Sequence, residues 1–348
     1  MSTTVDMTNR TIFFTGPGAV EVQPDVRPTP GPGQVLLGLR ATGICTMEQR
    51  LYRGVLKMYP VSPGHEPAAE VLEVGEGVTS VVVGDHVIVS FLPRCMQCFF
   101  CRAGESDKCT QRPLRVEGQP MKFGGFTQYA LAQGYQVFPI SPDVPWHEAA
   151  LGEPIACAVR SIRKADISFG DDVLVVGGGT MGQLHVLLAR LRGARVILSE
   201  PDADKLAVGV EHGAQIGVDP TQQDLAQIIS AATDGRGVDA LFIVVGGEAG
   251  QMALKSLRKG GRAIFYSAYY PPMQWTMDPD WIHHSQVSLM GAVNQTTEDW
   301  LAASRLLSKG IIRVGHLVSG RYPIDEIDTA MKLATNGRTF RVIVEMAG

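Results

Sequence analysis

The sequence predicts an α/β protein in which a mostly-β N-terminal domain precedes a doubly wound parallel sheet. Short Val- and Gly-rich runs bounded by turn residues, such as residues 35–40 and 86–90, predict β-strands from Thr11 to about Pro139. Beyond residue 153, apolar runs of strand length alternate with helical patterns, which is typical of a parallel sheet covered by helices on both faces. A chain of 348 residues also exceeds what one hydrophobic core usually fills, so two domains are expected.

Two signals mark the connections in the first half of the chain. Segment 23–34 carries four prolines and two glycines, and this composition predicts a connector between strands. The Ala-rich pattern over residues 148–164 predicts a helix that leads the chain into the second domain.

The second half predicts strands and helices in alternation. In chain order these are a strand at 172–176, a helix at 181–191, a strand at 195–199, apolar runs at 240–245 and 262–266, a helix at 299–307 and a strand at 340–345. The first three form a βαβ unit, the building block of a parallel sheet.

Composition limits the classes of function. Apolar residues make up 45% and charged residues 19%, as in ordinary globular proteins. The net charge of −4 and the scattered Lys and Arg residues argue against a nucleic-acid partner, and no apolar run is long enough to span a bilayer. Residues 1–10 are polar and lack the apolar core of a secretory signal. A cytoplasmic protein that binds a small molecule is therefore expected.

The most specific motif is a cluster of four cysteines, Cys95, Cys98, Cys101 and Cys109. Two-residue spacings let a tight turn aim the sulfurs at one point, and four thiolates form a closed tetrahedral site for Zn²⁺. A disulfide interpretation requires an oxidising compartment, which the N-terminus does not indicate. The cluster predicts a structural zinc and leaves two of the six cysteines, Cys45 and Cys157, for other chemistry.

A glycine-rich turn lies between the first strand and helix of the βαβ unit. Its residues Gly177, Gly179, Thr180, Met181 and Gly182 fit G-x-G-x-x-G, in which glycines permit a tight turn and close approach to a pyrophosphate at the helix N-terminus.

Two residues near the second strand predict the rest of the dinucleotide site. Glu200 stands at the end of that strand, where a carboxylate accepts hydrogen bonds from ribose hydroxyls and repels a 2′-phosphate. The pattern therefore favours NAD over NADP. Lys205 is a candidate second ribose contact, although a lysine on a helix surface is an alternative interpretation.

A second metal site is predicted from single residues. Cys45 in Gly-Ile-Cys-Thr and His65 in Gly-His-Glu, together with a carboxylate, form a set of three ligands that leaves a position on Zn²⁺ for substrate. Taken alone, Cys45 is more often a buried core thiol.

The motifs of Cys45, His65-Glu66, the four cysteines, Glu153-Pro154 and the glycine-rich turn follow one another in a familiar order. Over essentially its whole length the sequence resembles the zinc-dependent medium-chain dehydrogenases/reductases, in the branch that includes sorbitol dehydrogenase and threonine 3-dehydrogenase. The resemblance implies a GroES-like catalytic domain over residues 1–153 with a structural-zinc lobe at 95–109. It also implies a Rossmann NAD-binding domain over 154–294 and a C-terminal segment, 295–348, that returns to the catalytic domain.

The resemblance also assigns roles to residues. Cys45 and His65 are expected to bind a catalytic zinc, with Glu66 or Glu153 completing the ligand set directly or through water. Glu48 takes the place of an acid that braces the zinc histidine, and two zinc ions per chain are expected. Arg341 resembles an arginine that reaches the cofactor pyrophosphate; its alternative interpretation is a charge on a strand surface.

The sequence departs from the family in the usual proton relay. Met47 and Arg50 stand where Ser or Thr and His are usual, and neither side chain relays a proton at neutral pH. We hypothesise that the proton leaves through water and one of the carboxylates Glu48, Glu66 or Glu153. Arg50 would then contact a cofactor phosphate or an anionic group of the substrate; alternatively it pairs with an acid, and Met47 lines an apolar pocket.

The resemblance implies oxidation of a secondary alcohol to a ketone with NAD, on a polyol, sugar or cyclitol. Candidates for the substrate pocket are Met47, Tyr52, Phe91 and the region around Phe123. Amino alcohols such as threonine, or an aminocyclitol, are the alternative substrates, and an NAD-binding protein with lapsed catalysis is the alternative from another class. A homodimer or homotetramer is expected, in which segment 287–293 either pairs across an interface or forms an interior strand.

Overall fold

The computed structural model describes residues 8–111 and 120–346. By compactness the described chain divides into two units, the first running to Ala156 and resuming at Gln295, and the second spanning Cys157–Asn294. The domain limits expected from the sequence, residues 153 and 294, remain a proposal.

The first unit is mostly β. Its elements up to the transition are β1 (Asn9–Gly16), β2 (Ala19–Asp25), β3 (Gln34–Ile44), α1 (Thr46–Tyr52), β4 (Val61–Ser62), β5 (Glu66–Val74), β6 (His86–Val89), α2 (Phe99–Arg102), β7 (Met121–Lys122), β8 (Tyr129–Gln133), β9 (Val137–Ile140) and α3 (Trp146–Ala149). Helix α4 (Gly152–Ala165) carries the chain from the first unit into the second.

The second unit alternates strands and helices. Its elements are β10 (Asp172–Val176), α5 (Thr180–Leu191), β11 (Arg195–Ser199), α6 (Ala203–Glu211), β12 (Ile216–Val218), α7 (Leu225–Ala232), β13 (Val238–Ile243), α8 (Glu248–Ala253), β14 (Leu257–Phe265), α9 (Pro279–Ser285) and β15 (Ser288–Gly291). The chain then returns to the first unit with α10 (Thr297–Ser308), β16 (Val318–Pro323), α11 (Ile327–Ala334) and β17 (Arg341–Glu345).

The sheet of the second unit has the order β12-β11-β10-β13-β14-β15, and every neighbouring pair is parallel. Strand β10 is buried along its whole length, as expected for a strand covered on both faces. From β10 the chain adds β11 and β12 on one side, and it then continues with β13 on the other side. In sheets of this kind ligands bind beyond the carboxyl ends of the strands at this switch point. The predicted doubly wound parallel sheet is confirmed.

The described residues of the first unit form two sheets. The larger has the order β16-β17-β3-β5-β6-β9, with β8 also paired to β3, and the smaller has the order β2-β1-β4-β7. Strands β17 and β5 flank β3 on either side, both antiparallel to it. Strand β3 therefore brings the N-terminal half of the unit next to the last strand of the chain.

Two local predictions differ from the structure. The helix expected over residues 148–164 is broken into α3 and α4, because the chain turns at Ala150 and Leu151, both fully buried in the core. The first three residues of the connector expected at 23–34 belong to β2, where Pro24 pairs with Arg10 in an edge strand that tolerates proline.

Within the described ranges, no helix combines the length and apolarity needed to cross a bilayer.

Candidate active site

The predicted metal ligands of the first unit come from the ends of adjacent elements. Cys45 directly follows β3 and is the N-cap residue of α1. His65 immediately precedes β5, which begins with Glu66. Because β3 and β5 pair in register, with Gly43 opposite Glu66, these two chain segments meet at one edge of the sheet. Glu153 lies in the first turn of α4.

Glu48 holds the segments of Cys45 and His65 together. Its Oε2 accepts the Cys45 N–H at 2.9 Å, and its Oε1 accepts the Gly64 N–H at 3.0 Å. Nδ1 of His65 lies 3.1 Å from the same Oε1. Burial opposes the ionisation of Glu48, but the charge and hydrogen bond of His65 and the Gly64 N–H outweigh it and lower the pKa of the carboxyl group. With Nδ1 engaged, Nε2 is the nitrogen of His65 that is suited to bind a metal.

The predicted ligands form two groups that share His65, and within each group the donor atoms lie within 4.8 Å of one another. They are Cys45, Glu48 and His65 in one group, and His65, Glu66 and Glu153 in the other. A thiolate, an imidazole and a carboxylate are ligands that Zn²⁺ takes in catalytic sites with an open position. Both carboxylate oxygens of Glu66 are buried and accept no hydrogen bond from any described residue, and the ion pair with Arg341 contacts Oε2 alone, so Oε1 has room for a metal ion as its partner. The donor set therefore fits a zinc ion.

Glu66 also pairs with the last strand of the chain. Nε of Arg341 lies 2.9 Å from Oε2 of Glu66, and Nη1 of Arg341 donates to the carbonyl oxygen of Ile44 at 3.0 Å. Burial raises the pKa of Glu66 to about 7, against the opposing charge of Arg341. In the structure the guanidinium of Arg341 contacts Glu66 and Ile44, which both belong to the first unit. Its contact with the cofactor pyrophosphate remains a prediction.

Two further residues contact this region, and the sequence does not predict a role for either of them. Gln295, at the start of the returning segment, donates from Nε2 to Oε1 of Glu153. Arg94, next to the first cysteine of the cluster, donates to the backbone oxygen of Gln295 at 2.7 Å. Neither residue type belongs to a metal-ligand pattern, and only the three-dimensional structure brings them to Glu153.

The four cysteines of the predicted structural site converge. Their sulfur atoms all lie within 4.8 Å of one another, with Cys95 3.6 Å from Cys109 and 4.0 Å from Cys101. The backbone N–H groups of Cys101 and Thr110 lower the pKa of Cys98 to about 6, which favours the thiolate. All six cysteines of the chain lie in the described ranges, and none of them forms a disulfide bond. Four converging sulfurs fit a tetrahedral zinc.

The glycine-rich turn connects β10 to α5. A Cβ atom at Gly182 would lie 1.8 Å from the carbonyl oxygen of Gly177, so only glycine allows the helix to start this close to the strand. A Cβ atom at Gly179 would meet nothing within 4 Å, which leaves space for a ligand against the backbone there. The N–H groups of Thr180 and Met181 belong to the first turn of α5, whose N–H groups have no acceptor within the helix. These features fit a bound pyrophosphate.

Glu200 directly follows β11 and is buried under the glycine-rich turn. Its Oε2 accepts the Gly178 N–H and its Oε1 accepts the Asp202 N–H at 2.9 Å. Each carboxylate oxygen has two lone pairs, so both can accept a further hydrogen bond from a ribose. Lys205 lies in the first turn of α6, and its backbone oxygen accepts a hydrogen bond from Gln183. Its ribose contact remains a prediction.

The remaining candidates lie on or near α1 and the core. Met47 is half-buried and Arg50 occupies the last turn of α1. Phe91 and Phe123 pack against the core of the first unit, as does Tyr52, whose hydroxyl group donates to Asp328 at 2.8 Å. The roles expected for these five residues in binding substrate or cofactor remain predictions.

Comparison with known proteins identifies the family. The family "Alcohol dehydrogenase GroES-like domain" matches residues 31–142, and the family "Zinc-binding dehydrogenase" matches residues 180–309. A sorbitol dehydrogenase of Halalkalibacterium halodurans is 30% identical over 335 residues, which cover 94% of this chain and 96% of that protein. The chain belongs to the zinc-dependent medium-chain dehydrogenase/reductase family.

Two further comparisons extend this result. An L-threonine 3-dehydrogenase of Pyrococcus horikoshii is 31% identical to this dehydrogenase, and the match covers 94% of the chain and 95% of that protein. A zinc-binding dehydrogenase of Sinorhizobium meliloti, whose crystal structure is bound to NADP, superposes with a TM-score of 0.88 at 27% identity, covering 97% of this chain and 99% of that one. The predicted GroES-like domain and the predicted oxidoreductase activity on alcohols are confirmed, with zinc and a nicotinamide dinucleotide as cofactors.

Proposed function

We propose that this dehydrogenase oxidises a secondary hydroxyl group of a polyol, sugar or cyclitol to the ketone, with NAD as the acceptor. The observation that carries the proposal is the convergence of Cys45, His65, Glu66 and Glu153 in overlapping groups of donor atoms within 4.8 Å, beside the bracing carboxylate of Glu48. A second, closed group of four sulfurs gives two zinc sites per chain.

The contacts of the site residues suggest a different role for each of them. Cys45 and His65 would hold a zinc ion that supplies Lewis acidity, and the glycine-rich turn would hold a nicotinamide dinucleotide that supplies a hydride acceptor. Glu48 fixes the imidazole of His65 through Nδ1, so that its orientation is set before substrate binds. Arg341 holds the carboxylate of Glu66, and Gln295 holds that of Glu153.

The substrate proton needs an acceptor, since Met47 and Arg50 replace the usual relay. Glu48 is the weakest candidate among the three carboxylates because three donors contact its oxygens and its pKa is lowered. Glu66 and Glu153 are the carboxylates of the other donor group of His65. We favour Glu153 as the acceptor, through water, since Oε2 of Glu66 is engaged in the ion pair with Arg341.

The preference for NAD rests on Glu200. Its buried carboxylate would meet a 2′-phosphate with an uncompensated like charge, whereas ribose hydroxyls can donate to it. The related Sinorhizobium meliloti protein is bound to NADP, so the preference has to be measured.

A second candidate substrate is an amino alcohol such as L-threonine. It is favoured by the match to the threonine 3-dehydrogenase, which at 31% identity is as similar as the sorbitol dehydrogenase at 30%. The polyol is preferred because two carboxylates, Glu66 and Glu153, lie in one donor group with His65, and polar groups there suit a substrate with more than one hydroxyl group.

A panel of polyols, cyclitols and amino alcohols, assayed with NAD by the absorbance of the reduced cofactor, tests the proposal. We expect turnover with at least one polyol or cyclitol at a kcat/KM above that for L-threonine. Preferred turnover of L-threonine would replace the substrate class. A protein that holds two zinc ions and turns over no member of the panel would point to lapsed catalysis.

We also propose a cytoplasmic homo-oligomer. Six cysteines without a disulfide bond suit a reducing compartment. Strand β15 is the last strand at one edge of the six-stranded sheet, and next to it the side chain of Val293 is 74% exposed. Such an edge is able to pair with a second copy of the chain. Sedimentation at several protein concentrations would determine whether the chain forms a dimer, a tetramer or a monomer.

A further inference from the structure

A buried glutamine contacts one of the two carboxylates that could complete the metal site. Nε2 of Gln295 donates to Oε1 of Glu153, although the two residues are 142 positions apart in the sequence. The side chain of Gln295 is only 3% exposed, and both residues belong to the first unit. The hydrogen bond restricts how the carboxylate of Glu153 rotates.

Gln295 is in turn held by an arginine. Nη2 of Arg94 donates to the backbone oxygen of Gln295 at 2.7 Å, and Nη1 donates to Oγ1 of Thr297 at 3.1 Å. Arg94 is 4% exposed, and its own backbone is fixed twice by Tyr135, whose hydroxyl group accepts from its N–H at 3.1 Å and donates to its carbonyl oxygen at 2.9 Å. Cys95, the first of the four cysteines, follows directly.

We propose that Gln295 is a positioning residue for the catalytic metal site, because its amide orients Glu153 toward the metal, and that Arg94 holds Gln295 in place from the base of the four-cysteine lobe. The lobe thereby supports the geometry of the catalytic site in addition to its own zinc.

The two candidate carboxylates differ in the groups that hold them. The guanidinium of Arg341 lies 2.9 Å from Oε2 of Glu66 and forms an ion pair with it. The amide of Gln295 donates to Oε1 of Glu153 and restricts the orientation of that carboxylate. A carboxylate that a hydrogen bond orients is well prepared to bind Zn²⁺. We therefore place Glu153 in the ligand set, directly or through water, and the open position stays available for substrate.

Gln295→Met tests the proposal, because methionine matches glutamine in length and has no amide donor. The dissociation constant of the catalytic zinc, measured by competition with a chromogenic chelator, should rise about 10- to 100-fold, as is usual when a residue that holds a metal ligand is removed. The visible spectrum of the Co²⁺-substituted protein should also change, since it reports the ligand geometry without turnover. The zinc of the four-cysteine lobe should stay bound.

Gln136→Met is the matched control. Gln136 is also buried in the first unit, where its Nε2 donates to the backbone oxygen of Ser90 at 2.7 Å and its Oε1 accepts the Gln133 N–H at 2.9 Å. This variant removes a buried amide whose side-chain hydrogen bonds go to Ser90 and Gln133, neither of them a metal ligand, so its Tm should fall while its zinc affinity and Co²⁺ spectrum stay unchanged. Equal catalytic-zinc affinities in the two variants would overturn the proposal.

Two more variants extend the test if Gln295→Met folds poorly. Gln295→Glu places a carboxylate against that of Glu153 at pH 8, and it should weaken the catalytic zinc more than Gln295→Met does; wild-type affinity would contradict the proposal. Arg94→Lys keeps the charge but cannot reproduce two parallel donor contacts, so a smaller loss of affinity is expected. Unchanged affinity in Arg94→Lys would remove Arg94 from the arrangement.

The proposal rests on the proposed function, in which Glu153 serves the catalytic metal. Glu153→Gln distinguishes the two. If Glu153→Gln leaves both zinc affinity and kcat unchanged, the proposed role of Glu153 fails. If Glu153→Gln weakens zinc binding and Gln295→Met does not, Glu153 keeps its role and only the positioning by Gln295 is wrong.

Discussion

Gly43→Ala should damage the active site without removing any polar group. Gly43 pairs with Glu66 across β3 and β5, and the carboxylate of Glu66 lies directly over the glycine. A Cβ atom there would be 2.2 Å from Oε2 of Glu66, and Cδ of Arg341 lies 3.3 Å from the same position. Because an ordinary contact between carbon and oxygen needs more than 3 Å, the carboxylate must move by about 1 Å, away from its ion pair with Arg341.

The magnitude follows from that displacement. Glu66 lies in one donor group with His65 and Glu153, so a shift of its carboxylate should disturb the metal site. A misplacement of about 1 Å costs roughly 10²-fold in rate, so kcat/KM should fall to about one hundredth of the wild-type value. Overpacking the buried pair should also destabilise the first unit by about 1–3 kcal/mol. Steady-state kinetics with NAD and the best substrate, alongside a thermal melt of the zinc-loaded protein, measure both effects.

Gly16→Ala is the matched control for this substitution. Gly16 ends β1 in the same unit, and a Cβ atom there would meet nothing within 4 Å. Its kcat/KM and Tm should remain near the wild-type values. If Gly43→Ala behaves like Gly16→Ala, the carboxylate of Glu66 does not lie where the structure places it, or its position has no bearing on the reaction.

Three further predictions concern the proton acceptor, the cofactor and acid stability. Glu153→Gln should lower kcat about 100-fold, the usual loss of a general base, and unchanged turnover in the same assay would exclude that role. Glu200→Gln removes the charge beside the ribose, so the ratio of kcat/KM for NAD to that for NADP should fall about tenfold, measured with both cofactors; an unchanged ratio would show that Glu200 does not select the cofactor. Burial lowers the pKa of His185 to about 4 even though its ring bonds to the backbone oxygen of Met181. The unfolded chain therefore takes up this proton first as the pH falls from 6.5 to 4. The free energy of unfolding should lose about 3 kcal/mol over that range and be unaffected by this group above it. Denaturant titrations of His185→Gln should lack this loss, whereas the exposed His284→Gln should keep it.

Local spacing predicts the parts of this protein whose chemistry lies within one segment. The four cysteines span 15 residues, and the glycine-rich turn lies between a strand and a helix whose patterns are both visible in the sequence, so both sites can be predicted without knowledge of the fold. Their geometry depends mostly on backbone turns that the same residues form.

The contacts that orient the metal ligands could not be predicted, because they join distant segments. Arg341 reaches Glu66 only because β17 and β5 flank β3, and Gln295 reaches Glu153 only because the returning segment closes on the start of α4. The resemblance to the family predicts Arg341 at the cofactor, and the sequence gives no indication of a role for Gln295. Each residue contacts a carboxylate that lies far away in the sequence, and no local sequence pattern predicts such a contact.

The central claim is that Cys45 and His65, with a carboxylate, hold a catalytic zinc apart from the one in the four-cysteine lobe. Zinc content per chain and NAD-dependent turnover, measured together on the wild type and on Cys45→Ser after exhaustive dialysis, test it most directly. The account predicts two zinc ions and turnover for the wild type, and for Cys45→Ser a folded protein with one zinc ion and no turnover. A wild type that is active with one zinc ion, or a Cys45→Ser variant that keeps two zinc ions and full turnover, would contradict it.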